Sequence, residues 1–341
     1  MRRRPAAFEE RETRATVRVP DMREPDYQPM VKKIIIDTDP GQDDAMTILL
    51  ALASPEIALL GITTVAGNVS VDCTTRNALK TLELAQRPDV PVYRGAERPL
   101  VAPGVMAAHV HGATGFDGHD LPTPRLTPAS GSAAEFLVRT LMEHDPGTVT
   151  VCAIGPLTNL GLALRLEPAI ADRVERIVLM GGAFAEVGNI TCAAEFNFFV
   201  DPHAAAMVCQ SGIPLTVIPL DVTHQLHTTR ARVARFAALG NRVGRVVADW
   251  LTFEKTFEAE KYGTDGGPLH DPNTVAWLLA PHLYRGREVA LQVETQGALT
   301  QGASVVDWWG ITDLPRNALF LRQVDGDGVY ELLFERLARL P

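Results

Sequence analysis

Four carboxylates fall within eight residues in the segment DTDPGQDD (37–44): Asp37, Asp39, Asp43 and Asp44. An apolar run, VKKIIID (31–37), leads into the segment. Pro40-Gly41 then forces a turn, and a helical pattern begins near Asp43 or Asp44. A helix N-terminus favours each nearby anion by only about 0.3–1 kcal/mol. Two carboxylates about 5 Å apart repel by roughly 3 kcal/mol at an effective dielectric near 20, so the dipole loses. Such a corner needs either raised pKa values or a cation. Its donors are oxygens, with no Cys or His adjacent, which selects a hard ion and disfavours zinc. Calcium accepts six to eight oxygens in loose geometry, whereas magnesium prefers a tighter, wetter octahedron; the donor set leans slightly to calcium. The plainer alternative makes Asp43 or Asp44 an N-cap and leaves the other carboxylates solvated.

Other chemistry-bearing residues lie far along the chain. His270-Asp271-Pro272 precedes an apolar helical pattern, so Asp271 is expected at the N-cap with proline at the first helical position. Capping leaves one carboxylate oxygen for a metal. HVHGATG (109–115) places two histidines in a glycine-bounded loop, where they are either structural or proton donors near neutral pH. NITCAAEFNFFVDP supplies Asn189, Glu195 and Asn197. If extended, Glu195 and Asn197 share a face and offer neighbouring partners for a diol; the alternative is a polar, solvent-facing edge.

These residues need a frame. Strand patterns occur at 31–37, 57–65, 148–154, 176–180 and 215–220, mostly as continuous Val/Ile/Leu runs. Such runs fit parallel strands covered on both faces. Helical patterns at 44–53, 71–86, 131–143, 157–165 and 202–211 alternate with them, and more follow near 229–238, 243–260, 272–280 and 328–339. The expected fold class is therefore α/β: an open, mostly parallel, doubly wound Rossmann-like sheet with helices on both faces. The strand-rich stretch 287–323 extends that sheet. Ligands in such sheets bind beyond the carboxyl ends of the strands. Those ends lead into DTDPGQDD, TTVAGN (63–68), IGPLTN (154–159), MGGAFAEVGN (180–189) and LDVTH (220–224).

Composition removes several function classes. The 341 residues are 46% hydrophobic, enough for a full core, and the net charge of −9 argues against a nucleic-acid backbone as partner. No apolar run approaches the roughly 20 residues needed to cross a membrane. The four cysteines form no C-x-x-C pair and are read as reduced, buried thiols, which points to the cytosol. Residues 1–30 are rich in Arg, Glu and Pro without apolar periodicity, and are read as a flexible tail, with Met30 as an alternative start. A single domain is expected over 31–341.

With these segments in view, the chain resembles a known family. DTDPGQDDA, TTVAGN, HVHG, IGPLTN, VLMGGAF, AEFNFFVDP and HDP occur in the order typical of the nucleoside hydrolases, from about Val31 to the C-terminus. D-x-D-P-G-x-D-D is highly specific, whereas GPLTN or HDP alone is weak. The resemblance implies hydrolysis of the N-glycosidic bond of ribonucleosides, in salvage or catabolism, by a homodimer or homotetramer. It implies a calcium ion held by Asp39, Asp44, Asp271 and the backbone carbonyl of Ile154. Relatives often carry Thr at that last position, but a backbone ligand tolerates Ile. It implies further that Asp43, Asn68, Asn189, Glu195 and Asn197 grip the ribose, with Met180 under the sugar. Asp39 becomes the general base, and His270 and His111 serve the leaving base. Purine-specific relatives tend to place Trp where this chain has His270, which implies an inosine/uridine or pyrimidine preference. The stretch 251–269, with Tyr262 and a GTDGG loop, is read as a lid.

Two rivals make different predictions. A haloacid-dehalogenase-like phosphatase would use Asp37 as nucleophile and Asp39 as acid with magnesium, but would leave Asp43, Asp44 and Asp271 without a task. A calcium-dependent nucleoside-binding protein would keep the ribose grip without turnover.

Overall fold

Ile34, Ile35 and Ile36 are all fully buried, yet they serve different layers: Ile34 and Ile36 pack into one apolar cluster and Ile35 into another. Cys152 and Ile154 face the first cluster, Val151 and Ala153 the second; Val178 and Met180 face the first, Ile177 and Leu179 the second. Successive side chains of a strand point to opposite faces, so continuous apolar runs are what a sheet covered on both sides requires. Each such side chain contributes roughly 1.5–3 kcal/mol on burial. That burial pins the strand, and with it the carboxylates at its end.

The computed structural model describes residues 31–262 and 266–341, apart from the side chains at 108–109 and 254–262. The expected N-terminal tail and the first three residues of the GTDGG loop lie outside the described residues. In chain order the elements begin with β1 (Lys32–Thr38), α1 (Gln42–Leu52), β2 (Ile57–Thr64), α2 (Val71–Leu84), β3 (Val92–Arg94), α3 (Ala108–His111) and α4 (Ala133–Glu143). They continue with β4 (Val149–Ala153), α5 (Thr158–Leu166), β5 (Val174–Met180), α6 (Phe196–Val200), α7 (Pro202–Cys209), β6 (Leu215–Ile218) and α8 (Leu220–Thr223). The last are α9 (Arg230–Ala237), α10 (Arg242–Tyr262), α11 (Pro272–Leu279), β7 (Tyr284–Val293), β8 (Ser304–Asp307), β9 (Ala318–Val324) and α12 (Gly326–Leu337).

The strands form one nine-stranded sheet in the order β3-β2-β1-β4-β5-β6-β9-β7-β8. All pairs from β3 through β6 to β9 are parallel; β7 pairs antiparallel with β9 and with β8. The doubly wound architecture is thus present, with an antiparallel extension. The strand order reverses between β1 and β4, and the carboxyl ends on either side of that switch point frame a crevice. Asp37–Asp44 follows one of those ends and Ile154 the other. The backbone locks them together, since Ile154 N–H donates to the Asp37 carbonyl at 2.8 Å.

Several local expectations are corrected. Helix α1 starts at Gln42, because Gly41 takes the N-cap and the Asp44 carboxylate accepts the Gly41 N–H at 2.9 Å. Strand β6 stops at Ile218; Pro219 lacks an N–H for the ladder and opens α8. The edge strand β3 is too short to leave a pattern. Helix α10 runs on to Tyr262, so twelve of the nineteen residues read as a lid are helical, which leaves that reading open to test. The cysteines are all free, but Cys192 is exposed and Cys73 half-buried; only Cys152 and Cys209 are buried. Cys192 belongs to an irregular connection between β5 and α6, where small neighbours supply no core to enter.

Candidate active site

At the switch point, α1 presents its first turn to the crevice. Asp43, Asp44 and, from α11's N-cap position, Asp271 can each bring a carboxylate oxygen within 4.8 Å of the others. All three are buried. Asp39 lies beside this trio, and its charge contributes to raising the Asp271 pKa. Asp271 occupies the N-cap as expected but makes no side-chain cap; its carboxyl shares a hydrogen bond with Asp44. Asp44 also accepts from the Thr38 hydroxyl at 2.6 Å and from Asn68 Nδ2 at 3.1 Å. Asn68 ties the loop after β2 to the cluster, because its backbone N–H donates to Asp39 Oδ2 at 2.6 Å and its Nδ2 to the Asp39 carbonyl at 3.2 Å.

Asp39 Oδ1 is the exception. It is buried and has no hydrogen-bond partner. A Cβ on Gly155 would stand 2.5 Å from it, and one on Gly67 would overlap Oδ2. Both glycines are therefore required by the close approach of backbone to carboxylate. No ion pair of the described residues involves Asp39, Asp43, Asp44 or Asp271. Burial first, then neighbouring charge, drives the pKa of Asp39 and Asp271 well above the usual carboxylate range, and that of Asp44 to about 7. A buried oxygen without a donor, amid carboxylates without counter-charge, is what a missing hard cation leaves behind. The residues present fit a divalent metal.

Above this floor opens a pocket that is partly open to solvent. Asp43, Asn68, His111, Ile154, Met180, Asn189, Glu195, Asn197, His270 and Asp271 all line it. Asp39 and Asp44 do not; they lie beneath. Asn197 Nδ2 donates to the carbonyls of Ile154 and Met180 at 3.2 and 3.1 Å, which leaves the Ile154 carbonyl one further lone pair. Asn189 Oδ1 accepts the Phe196 N–H at 2.9 Å, folding its loop back onto α6.

Glu195 is placed differently from the extended reading. It is the N-cap of α6, and its carboxylate accepts backbone N–H groups of Gly182, Asn197 and Phe198 at 3.0, 2.9 and 3.1 Å. Burial nonetheless raises its pKa to about 7, against the lowering effect of those bonds. The local preference for capping a helix that starts at Phe196 overrides the period-two pattern.

Asp37 is fully buried and absent from the pocket lining; Thr63 Oγ1 and Asn159 Nδ2 donate to its Oδ1 at 2.6 and 2.7 Å. Burial lifts its pKa to about 6. A carboxylate so enclosed is no phosphatase nucleophile. Three residues escaped the sequence reading. Thr38 and Gln42 lie inside the DTDPGQDD segment, and Gln42 Oε1 is 2.7 Å from His111 Nδ1. Thr223 lies in the LDVTH segment, its hydroxyl 2.8 Å from His270 Nδ1. Position beyond a strand end was the signal for each, but nothing distinguished them from their neighbours.

Comparison with known proteins agrees with this geometry. A family model described as inosine-uridine preferring nucleoside hydrolase matches residues 34–331. An uncharacterised Schizosaccharomyces pombe protein is 63% identical over 309 residues, covering 91% of this chain and 100% of its own. The pyrimidine-specific ribonucleoside hydrolase RihA of an Enterobacter species is 47% identical over 311 residues, covering 91% of this chain and 99% of its own. Among solved structures, the purine-preferring ribonucleoside hydrolase of Gardnerella vaginalis superposes with a TM-score of 0.85 at 32% identity, over 90% of this chain and 98% of that one. A plant nucleoside hydrolase gives a TM-score of 0.84 at 35% identity, over 90% and 99%. With its carboxylate floor, its pocket and these relatives in agreement, the chain belongs to the inosine-uridine preferring nucleoside hydrolase family and is a ribonucleoside hydrolase.

Proposed function

We propose that the enzyme is calcium-dependent and prefers inosine/uridine or pyrimidine nucleosides, with the ion held by Asp39, Asp44, Asp271 and the Ile154 carbonyl. The observation that carries this reading is the buried, partnerless Asp39 Oδ1 next to the Asp43, Asp44 and Asp271 trio. When bound, calcium polarises the sugar hydroxyls and the water it touches and lowers the water's pKa. Asp39 accepts the proton of the attacking water as bond formation develops at C1′. Asp43, Asn68, Asn189, Glu195 and Asn197 orient the ribose hydroxyls, and Met180 supplies the apolar surface under the ring. The transition state is oxocarbenium-like, so the surrounding carboxylates and amide oxygens stabilise its positive charge. His270 and His111 serve the departing base. His270 before Asp271, in place of Trp, supports the preference; the RihA relative is described as pyrimidine-specific and the Gardnerella enzyme as purine-preferring.

Incubation with inosine, uridine, cytidine and p-nitrophenyl phosphate, with and without chelator, tests the reading. Free ribose is expected, with chelator abolishing its release and calcium restoring it. Undiminished ribose release in chelator would remove the metal from the proposal, and binding without release would favour a sensor.

The working form in this proposal is a cytosolic homodimer or homotetramer taking part in nucleoside salvage or catabolism. The free thiols support the compartment, and no helix of the described residues is long and apolar enough to cross a membrane. Oligomerisation is supported by edge strand β8, beside which Trp309 and Ile311 are 78% and 85% exposed. Sedimentation equilibrium is expected to give two or four times the chain mass; a monomer at micromolar concentration would refute it.

A further inference from the structure

The two pocket histidines are held by different kinds of partner, and hydrogen-bond accounting gives each a different tautomer. Gln42 Nε2 donates to two backbone carbonyls, of His111 at 3.3 Å and of Asp117 at 3.1 Å. Carbonyls only accept, so the amide orientation is fixed and Oε1 is the atom that meets His111 Nδ1 at 2.7 Å. An amide oxygen cannot donate. Nδ1 of His111 therefore carries the proton, and in the neutral ring Nε2 is a lone-pair acceptor. The ring also packs on Gly41, where a Cβ would lie 2.5 Å from Nδ1.

At His270 the partner is a hydroxyl. Thr223 is fully buried, and among the described residues His270 Nδ1, at 2.8 Å, is the hydrogen-bonding partner of its Oγ1. If Nδ1 were the donor, the buried hydroxyl hydrogen would have no acceptor, an arrangement that folded proteins avoid. With the hydroxyl donating to Nδ1, that hydrogen is satisfied and the neutral ring carries its proton on Nε2.

We infer that Gln42 and Thr223 are positioning residues that lock the pocket histidines in opposite neutral tautomers, His111 as acceptor and His270 as donor at Nε2. The His270 N–H donates a hydrogen bond to the base atom that gains negative charge as the electron pair of the N-glycosidic bond moves onto the base. The His111 lone pair accepts an N–H of the same base. The site therefore takes nucleobases whose edge carries both an acceptor and a ring or exocyclic N–H. The catalytic part of this inference rests on the proposed service of His270 to the leaving base; the tautomers themselves do not.

The test uses the full-length protein labelled with 15N-histidine, with calcium added, at a pH where the rings are neutral. Long-range 1H–15N spectra, assigned with His111→Asn and His270→Asn, are expected to show His111 protonated at Nδ1 and His270 at Nε2. Thr223→Val should convert the His270 pattern to a tautomer mixture, and Gln42→Met should do the same at His111. Thr223→Val is also expected to lower kcat on uridine by about 30-fold while KM changes by less than about threefold, and Thr223→Ser should restore both. On p-nitrophenyl riboside, whose leaving group departs without help, Thr223→Val should retain turnover within about threefold. Wild-type His270 protonated at Nδ1, or a Thr223→Val spectrum unchanged from wild type, overturns the lock. Wild-type uridine turnover in His270→Ala instead overturns the donor role, with the spectra still deciding the tautomers.

Discussion

Asp39→Ala is expected to lower kcat on uridine and inosine by about 10⁴-fold, a loss of the size that general-base and charge-positioning groups supply. The fold should survive it. Asp39 is 1% exposed, one of its oxygens has no partner, and burial and like charge both oppose its ionisation. Removing it relieves repulsion at Asp271, which opposes the cost of a small void near Gly67 and Gly155 and of an Asn68 N–H left without its acceptor. Melting measured in chelator should therefore show the variant within a few degrees of wild type. Asp39→Asn separates volume from charge, since its amide oxygen can still accept the Asn68 N–H. Wild-type turnover in Asp39→Ala would remove Asp39 from the role of base.

Chelated protein is expected to lose thermal stability as pH rises from about 5 to about 8, and calcium should flatten that dependence. The sign follows from the direction of the shifts. Asp37, Asp44 and Glu195 titrate in the folded protein at about 6, 7 and 7, above their ordinary values of 3.8, 3.8 and 4.5, chiefly because they are buried. Below the ordinary values both folded and unfolded chains are protonated and nothing is lost. As pH rises past them the unfolded chain ionises freely while the fold resists, so stability falls until the folded pKa is passed. For Asp44 alone the full loss is on the order of 4 kcal/mol. Asp39 and Asp271, raised well above the ordinary range, extend the effect to higher pH. These groups share one electrostatic environment, so their penalties do not simply add. Saturating calcium should raise the melting temperature at pH 8 by about 5–10 °C. A chelated protein whose melting temperature does not move with pH would show that the corner carries no such strain.

Much of this architecture is legible in the sequence because β1, β4 and β5 are buried on both faces and write that fact as unbroken apolar runs. The carboxylate corner is legible because four acids in eight residues violate ordinary electrostatics. Asp271 could be placed on a helix start by its Pro272, but its meeting with Asp44 depends on long-range packing that no local pattern encodes. The local geometry at Glu195 is illegible for a related reason: capping and strand alternation both suit AEFNF, and only the closure of the β5–α6 connection decides between them. Gln42 and Thr223 were invisible because their task lies in which hydrogen atoms they carry toward a ring. Asp43 illustrates the reverse: chosen for the sugar, it sits both on the pocket wall and in the tight trio with Asp44 and Asp271.

The dispersed origin of the corner has a consequence for how the polypeptide is made. Asp39, Asp43 and Asp44 emerge from the ribosome early, but Asp271 follows more than two hundred residues later. The strands flanking the switch point can assemble beforehand, holding three acids together without their last wall. During that interval the nascent chain carries crowded negative charge just beyond the end of β1. A transcript truncated before α11 would yield a protein with most of the sheet and no closed corner. The corner is complete only when α11, from far along the chain, packs beside α1.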